Sequence, residues 1–252
     1  MSKLSEKVAI VTGASKGIGA GIAMALGAAG ARVGVNYSSD REGAERVAQA
    51  ITKNGGEAIA VGADVSRAAD VARLFKEVNS TFGKLSVLVN NAGVFRFGAF
   101  AEITEASFHL HYNINVLGTI LTVQEAIQRF GAEGGSIINL SSIVGSHPVG
   151  GALLYASTKG AIETLTKGLA LELAPRKIRV NAIAPGHTET EGNVVAGTFE
   201  GGASRVLAEK TPLGRLGRVT DIAPLAVFLA SDESAWITGE VIRAAGGLVV
   251  AT

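Results

Sequence analysis

Cysteine is absent from the 252-residue chain, which also has only five prolines, one tryptophan and four histidines. Without cysteine there is no disulfide framework, no thiol nucleophile and no thiolate-bound metal. The absence fits a reducing compartment. The four histidines show no metal-ligand spacing; His109 and His111 are two apart on an expected helix and face different ways, so no metal is expected. An excess of one charge is also missing. Lys and Arg number 23 against 22 Asp and Glu, a formal net charge of +1, which gives no electrostatic reason to expect a nucleic-acid partner. The hydrophobic share of 47% at so small a net charge excludes disorder. The uncharged run at 17–31 is shorter than the ~18 residues of a spanning helix. It follows a strand-like segment and Glu6, which is a poor start for a signal peptide. It reads as a buried, Ala-rich helix, and the protein as cytoplasmic, with no membrane association.

Glycine, by contrast, is abundant. The 33 glycines are nearly twice the ordinary share of about 7%. Short Val- and Ile-rich runs recur at 8–11, 32–35, 58–61, 87–89, 137–140, 178–183 and 240–242. Several are apolar on both faces, as strands of a covered parallel sheet should be. Helical patterns lie between them, as at 40–53, 67–82 and 221–230. Strand then helix, repeated, predicts a doubly wound α/β sheet in one domain spanning 1–252. Residues 104–130 read as two successive helices, the second (113–130) apolar on most sides.

The glycines concentrate after the first strand, in Thr12-Gly13-Ala14-Ser15-Lys16-Gly17-Ile18-Gly19. Gly13, Gly17 and Gly19 suit a tight turn, close approach of a phosphate and close helix packing. The helix start offers free N–H groups and a positive dipole end to a pyrophosphate, with Ser15, Lys16 and Ile18 in the loop. The second strand ends in Asn36-Tyr37-Ser38-Ser39 without the acid that would bond a ribose 2′-hydroxyl. Asn36, Tyr37 and Ser38 can donate to a 2′-phosphate, and Lys16 and Arg41 can add positive charge. The expected cofactor is therefore NADPH/NADP+ rather than NAD. Lys16 can equally be a solvated loop charge. Asp64-Val65 follows the third strand; Asp64 can bond an adenine edge, cap the next helix, or do both.

Tyr155 and Lys159 are four apart, on one face of a helix. A free phenol titrates near 10, and a cation one turn away favours its ionised form. Asn139-Leu140-Ser141-Ser142 ends the fifth strand, at the edge where open α/β sheets bind ligands, and a hydroxyl there can hold a carbonyl oxygen.

In these motifs the chain resembles the short-chain dehydrogenase/reductase family over nearly its whole length. Asn90-Asn91-Ala92-Gly93 is similar to the family motif after the fourth strand. Asn115 matches the helix Asn of its proton relay, Ser142 its catalytic Ser, and Tyr155 with Lys159 its Tyr-x-x-x-Lys pair. Pro185-Gly186 and Thr190 match the segment that grips the nicotinamide end, with Thr188 between. The resemblance implies a Rossmann-type fold with a seven-stranded parallel sheet and hydride transfer between nicotinamide and a ketone or secondary alcohol. Tyr155 would be acid or base, and Ser142 would orient the oxygen. Lys159 would bind ribose and lower Tyr155, and Asn115 would hold a water. Asn91, Ala92 and Gly93 would border the cofactor. It further implies a homotetramer using helices in 113–130 and 155–174. Where many relatives carry Asp-Gly-Gly after the last strand, Ala245 takes the acid's place. The apolar end Leu248-Val249-Val250 would suit burial against a neighbouring subunit.

Phe95, Phe97, His147 and His187 are candidate substrate contacts; the phenylalanines can also be core or interface, and the histidines surface. Residues 187–210 read as a mobile substrate loop. Two other activities stay open: reduction of 3-oxoacyl groups on a carrier protein, with Arg129 and Arg176 as candidate contacts, and sugar dehydrogenation. A non-catalytic nucleotide-binding scaffold is the remaining alternative.

Overall fold

The computed structural model describes residues 2–191 and 202–248. The sheet strands are β1 (Val8–Val11), β2 (Arg32–Tyr37), β3 (Glu57–Gly62), β4 (Val87–Asn90), β5 (Gly135–Leu140) and β6 (Ile178–Pro185). Two short strands follow, β7 (Thr188–Glu189) and β8 (Gly217–Arg218), and then the last sheet strand, β9 (Val241–Ala244). The main sheet is seven-stranded and parallel, in the order β3-β2-β1-β4-β5-β6-β9. The order reverses between β1 and β4, and ligands of open α/β sheets bind outside the carboxyl ends at such a point.

Side-chain alternation on each strand builds two cores. Ala9 and Val11 of β1, with Val87 and Val89 of β4, face one side. There they meet Ile22 and Leu26 of α1 (Gly17–Ala28), Val47 and Ile51 of α2 (Arg41–Lys53), and Ile222 and Leu229 of a C-terminal helix. Val8, Ile10 and Leu88 face the other side. They pack on Leu74 and Phe75 of α3 (Ala68–Phe82) and Val123 of α5 (Gly118–Ile127). A strand buried on both faces needs apolar residues at every position, which is why β1 reads Val-Ala-Ile-Val. The same-face helix α6 (Leu153–Leu173) carries Tyr155 and Lys159.

The stretch expected as two helices is built differently. α4 (Glu105–His111) runs into a wider π turn, Tyr112–Leu117, before α5 begins. Asn115, buried in that turn, has both ends of its amide engaged by neighbours, and such turns recur at functional sites. Further along the chain come α7 (Ala203–Lys210) and α8 (Val219–Ala230). β7 pairs with β8 in a small parallel sheet that the sequence pattern did not reveal. Of the expected loop 187–210, residues 192–201 lie outside the described residues, as do Val249 and Val250. Among the described residues, no helix is long and apolar enough to cross a membrane.

Candidate active site

A cleft of about 630 Å³ opens at the carboxyl ends of the strands. The glycine loop forms one end and the β5–α6 region the other. Gly13, Ser15, Lys16, Gly17, Ile18 and Gly19 line it, as do Tyr37, Ser38, Asp64 and Val65. So do Asn91, Ala92, Gly93, Pro185, Gly186, Thr188 and Thr190. Residues that the sequence reading did not assign to the site join them: Ser39, Leu140 and Ser141 from the quoted motifs, Asp40, and Val94, Val144 and Val149, apolar residues without a motif of their own.

The glycine loop is held by close contacts. A Cβ on Gly13 would lie 2.8 Å from the Ala92 Cα, and one on Gly19 would lie 2.3 Å from the Asn91 Nδ2. Asn91 Nδ2 donates to the carbonyls of Thr12 and Gly13 at 2.9 and 2.8 Å. The Asn90-Asn91-Ala92-Gly93 motif thus clamps the loop. α1 begins at Gly17 with neither a side-chain cap nor an acid in its first turn. Its Gly17 amide donates instead to Glu191 Oε2 at 2.9 Å. An anionic oxygen already seated on this helix start shows that the site fits a pyrophosphate oxygen.

The expected 2′-phosphate donors divide. Asn36 lines the cleft but is only 1% exposed. Its Nδ2 is spent on the carbonyls of Tyr37, Val61 and Ala63, and its Oδ1 accepts from Gly13 N. Asn36 therefore supports the loop and has no donor left for a phosphate. Arg41 is outside the cleft lining, paired with Glu45 at 2.7 Å. Lys16, Tyr37, Ser38 and Ser39 remain. Asp40 acts as the expected cap of α2, accepting from Gly43 N at 3.0 Å. That bond holds its carboxyl below the usual range, with Ser15 and Lys16 helping. Asp64 Oδ1 accepts from the Ser66 amide and hydroxyl in a local turn, while α3 starts at Ala68 with Arg67 as its N-cap and no side-chain cap, so Asp64 does not cap that helix.

At the other end, the Ser142 hydroxyl lies beside the Tyr155 phenol and favours its ionised form. Ser142 Oγ also accepts from Val144 N at 3.4 Å. Ser141 points elsewhere: it is buried and donates to Glu163 Oε1 at 3.0 Å. Burial pushes the Tyr155 phenol up to about 12, and the neighbouring Ser142 hydroxyl pulls the other way. Burial lowers the Lys159 ammonium to about 8. Lys159 Nζ donates to the Leu140 carbonyl at 2.6 Å and lies 5.6 Å from the Tyr155 ring centroid. Lys159 is not among the causes that set the Tyr155 phenol, where burial dominates.

Asn115 lies behind the cleft wall. Its amide bonds Val94 and Thr158 rather than Lys159. A buried ladder beneath the site was also missed. Thr122 donates to Asn90, Asn90 to Asn139, and Asn139 to Thr166, at 2.7, 3.0 and 2.9 Å. It cross-links β4, β5, α5 and α6 under the reacting groups. A fully satisfied buried network of this kind fixes one arrangement of its elements.

Phe95, Phe97 and His187 line the cleft, and burial lowers the His187 imidazole. His147 does not line it; it is exposed and bonds Ser146. Arg129 and Arg176 fail as carrier contacts at the cleft mouth. Arg129 pairs with Glu125 beyond the end of α5, and Arg176 donates to the Ile127 carbonyl just before β6. Both sit near the strand starts, at the opposite edge of the sheet. At Ala245 the turn closes without a carboxylate. Ala245 packs on Gly186, whose amide donates to Ala244 O at 3.0 Å. Among the described residues, no three His, Asp or Glu gather as metal ligands would.

Comparisons with known proteins agree with this geometry. The family model described as enoyl-(acyl carrier protein) reductase matches residues 13–249. An oxidoreductase of Methylorubrum extorquens is 51% identical, over 98% of this chain and 100% of the relative. The tetrahydroxynaphthalene reductase of Pyricularia oryzae is 38% identical, over 98% of this chain and 90% of its own. A Burkholderia cenocepacia short-chain dehydrogenase solved in complex with NADP superposes with a TM-score of 0.92 at 35% identity, over 98% of this chain and 99% of that one. With the glycine loop at one end of the cleft and Ser142, Tyr155 and Lys159 at the other, the chain belongs to the short-chain dehydrogenase/reductase family of oxidoreductases.

Proposed function

We propose that the protein is an NADPH-dependent carbonyl reductase that interconverts ketones and secondary alcohols. The observation that carries this reading is the meeting of Ser142, Tyr155 and Lys159 at one end of a cleft whose other end is an anion-seeking helix start. When bound there, the nicotinamide dinucleotide supplies or accepts the hydride. Gly13, Ser15, Ile18 and Gly19 shape its pyrophosphate site with Gly17. Lys16, Tyr37 and Ser38 favour a 2′-phosphate, and no acid ends β2 to repel one. Asp64 and Val65 border the adenine. Asn91, Ala92, Gly93, Pro185, Gly186, Thr188 and Thr190 border the nicotinamide half.

Ser142 donates to the carbonyl oxygen and holds it at Tyr155. Tyr155, kept protonated by burial, hands its proton to that oxygen in reduction and takes it back in oxidation. Lys159, with an ammonium that releases its proton readily, replenishes Tyr155 and holds the ribose. Asn115 serves as a positioning residue through Val94 and Thr158. The tetrahydroxynaphthalene reductase relative supports ketone reduction, and the NADP complex supports the cofactor. A homotetramer built on α5 and α6 fits the exposed Leu117, Leu153 and Leu171. A cytoplasmic location fits the lack of cysteine.

The test is to follow nicotinamide absorbance with NADPH and a panel of ketones, sugars and acyl thioesters. Oxidation by a ketone supports the reading. A panel in which only a sugar or a thioester reacts moves the assignment to that class, and no oxidation by any member overturns it.

A further inference from the structure

The segment after Gly93 is anchored at every second residue. Asn115 holds both main-chain groups of Val94, at 2.8 and 2.9 Å. Arg96 N donates to His111 Nε2 at 3.2 Å. Gly98 N donates to Gly151 O at 2.9 Å. His111 is itself buried, with Nδ1 2.8 Å from the Ser107 carbonyl. Those two contacts require a neutral ring that donates through Nδ1 and accepts through Nε2. A histidine buried next to the cleft thus spends both nitrogens on fixing a loop.

The side chains between the anchors, Phe95 and Phe97, line the cleft. The Phe95 centroid lies 6.1 Å from that of Tyr155 and 6.0 Å from that of Phe97, with the rings tilted by 60° and 56°. Three rings therefore run from the reacting hydroxyl to the rim, a surface longer than one aromatic ring. Phe97 is 58% exposed, and Val149, on the loop tied by Gly151, is 53% exposed. The charged residues of the cleft lining are Lys16, Asp40, Asp64 and Lys159. Among the described residues, none of them belongs to this wall, and Arg96, exposed between Phe95 and Phe97, does not line the cleft.

We propose that Phe95 and Phe97 form a preformed shelf for a flat, fused-ring aromatic ketone, with Asn115 and His111 as its positioning residues. This rests on the carbonyl-reduction reading and names its substrate class. The shelf places the ring system along Phe97 and Phe95 and delivers the carbonyl to Ser142 and Tyr155. Rings held rigidly in advance lose little freedom when a planar partner stacks on them, and each such contact adds to simple burial.

The experiment compares β-tetralone, its saturated counterpart β-decalone and an acetoacetyl thioester, with NADPH as reductant. The expected kcat/KM for β-tetralone exceeds that for β-decalone by about tenfold, one aromatic contact's worth. Phe95→Leu and Phe97→Leu each shrink the preference for β-tetralone over β-decalone, together by about that factor. Binding of unreactive β-naphthol, measured by calorimetry, weakens in parallel, and the melting temperature reports whether each variant is folded. Equal use of tetralone and decalone, preference for the thioester, or equal losses on both ketones overturns the shelf. If no ketone is reduced, the carbonyl-reduction reading falls separately. β-Naphthol binding then decides the shelf: weakening in Phe97→Leu upholds it, and unchanged or absent binding overturns it.

Discussion

Glu191 Oε2 accepts a hydrogen bond from the Gly17 amide at 2.9 Å, across 174 residues of sequence. This carboxylate occupies the helix start that a pyrophosphate needs, so it must yield when a dinucleotide binds. Glu191→Gln removes the competing charge and is expected to tighten NADPH binding by about threefold, a typical worth for one charge at an exposed helix end. Fluorescence titration at low salt checks this; unchanged or weaker binding shows that Glu191 does not compete.

Tyr155→Phe is expected to lower ketone reduction by about a thousandfold, within the usual range for losing a general acid. NADPH affinity stays the same, because the phenol's proton acts on the substrate oxygen. Reductive kcat in the wild type falls above pH about 8, where Lys159 loses its proton, while Tyr155 stays protonated up to about 12. A Tyr155→Phe enzyme with wild-type turnover removes the assigned acid. A flat profile between neutral pH and the alkaline limit removes Lys159 as its proton source.

Lys159 also carries a stability cost. Its ammonium titrates near 8 in the fold against 10.5 when free, so between those values the unfolded chain binds more protons and stability rises with pH. Below pH 8 the penalty for the buried charge is fully present, at about 3 kcal/mol. Lys159→Met removes it but also loses the bond to the Leu140 carbonyl, worth about 1 kcal/mol. The variant should be inactive yet about 2 kcal/mol more stable at neutral pH, with the advantage shrinking toward pH 10.5. Urea titrations at two pH values test this, and an advantage that grows with pH contradicts it.

NADPH should bind more tightly than NADH, by about tenfold at low salt, because Lys16, Tyr37 and Ser38 line this end of the cleft while Asp40, the acid that also lines it, is bonded to the Gly43 amide with Ser15 and Lys16 beside it. Salt should erode this preference, since Lys16 is exposed. Ser38→Asp should reverse it. Equal affinities in the wild type, or a Ser38→Asp variant that still prefers NADPH, count against Lys16, Tyr37 and Ser38 as the selective group.

What could be read from the sequence was what is local in it. Strand periodicity identified every strand of the main sheet, and a spacing of four put Tyr155 and Lys159 on one face of α6. Side chains whose roles depend on distant partners were misread or missed. Asn36 looks like a donor to a ligand until Val61 and Ala63 are seen to consume its amide. Arg129 and Arg176 look available until the turns at the strand starts carry them to the far edge. His111 gives no local sign that it braces Arg96, and the π turn that buries Asn115 has no spacing signature. Such outcomes follow from how elements dock, which residue pattern along the chain does not encode.

Asn115 separates two accounts of the same residue. If it acts through a held water, its loss should alter the pH dependence of turnover and little else. The structure gives its side chain three bonds, to Val94 N, Val94 O and Thr158 Oγ1. Asn115→Ala strands those partners in a buried site, at roughly 1 to 3 kcal/mol for each group left unpaired. Some will relax toward one another, so a total loss of about 3 kcal/mol is expected in chemical denaturation. With Val94 unanchored the Phe95 ring also loses its fixed position, so KM for a bulky ketone should rise more than kcat falls. Asn115→Asp keeps the acceptor for Val94 N and loses the donor, and should fall between wild type and Ala on both measures. Full stability in Asn115→Ala with a displaced pH profile would instead favour the water-holding role over the anchor.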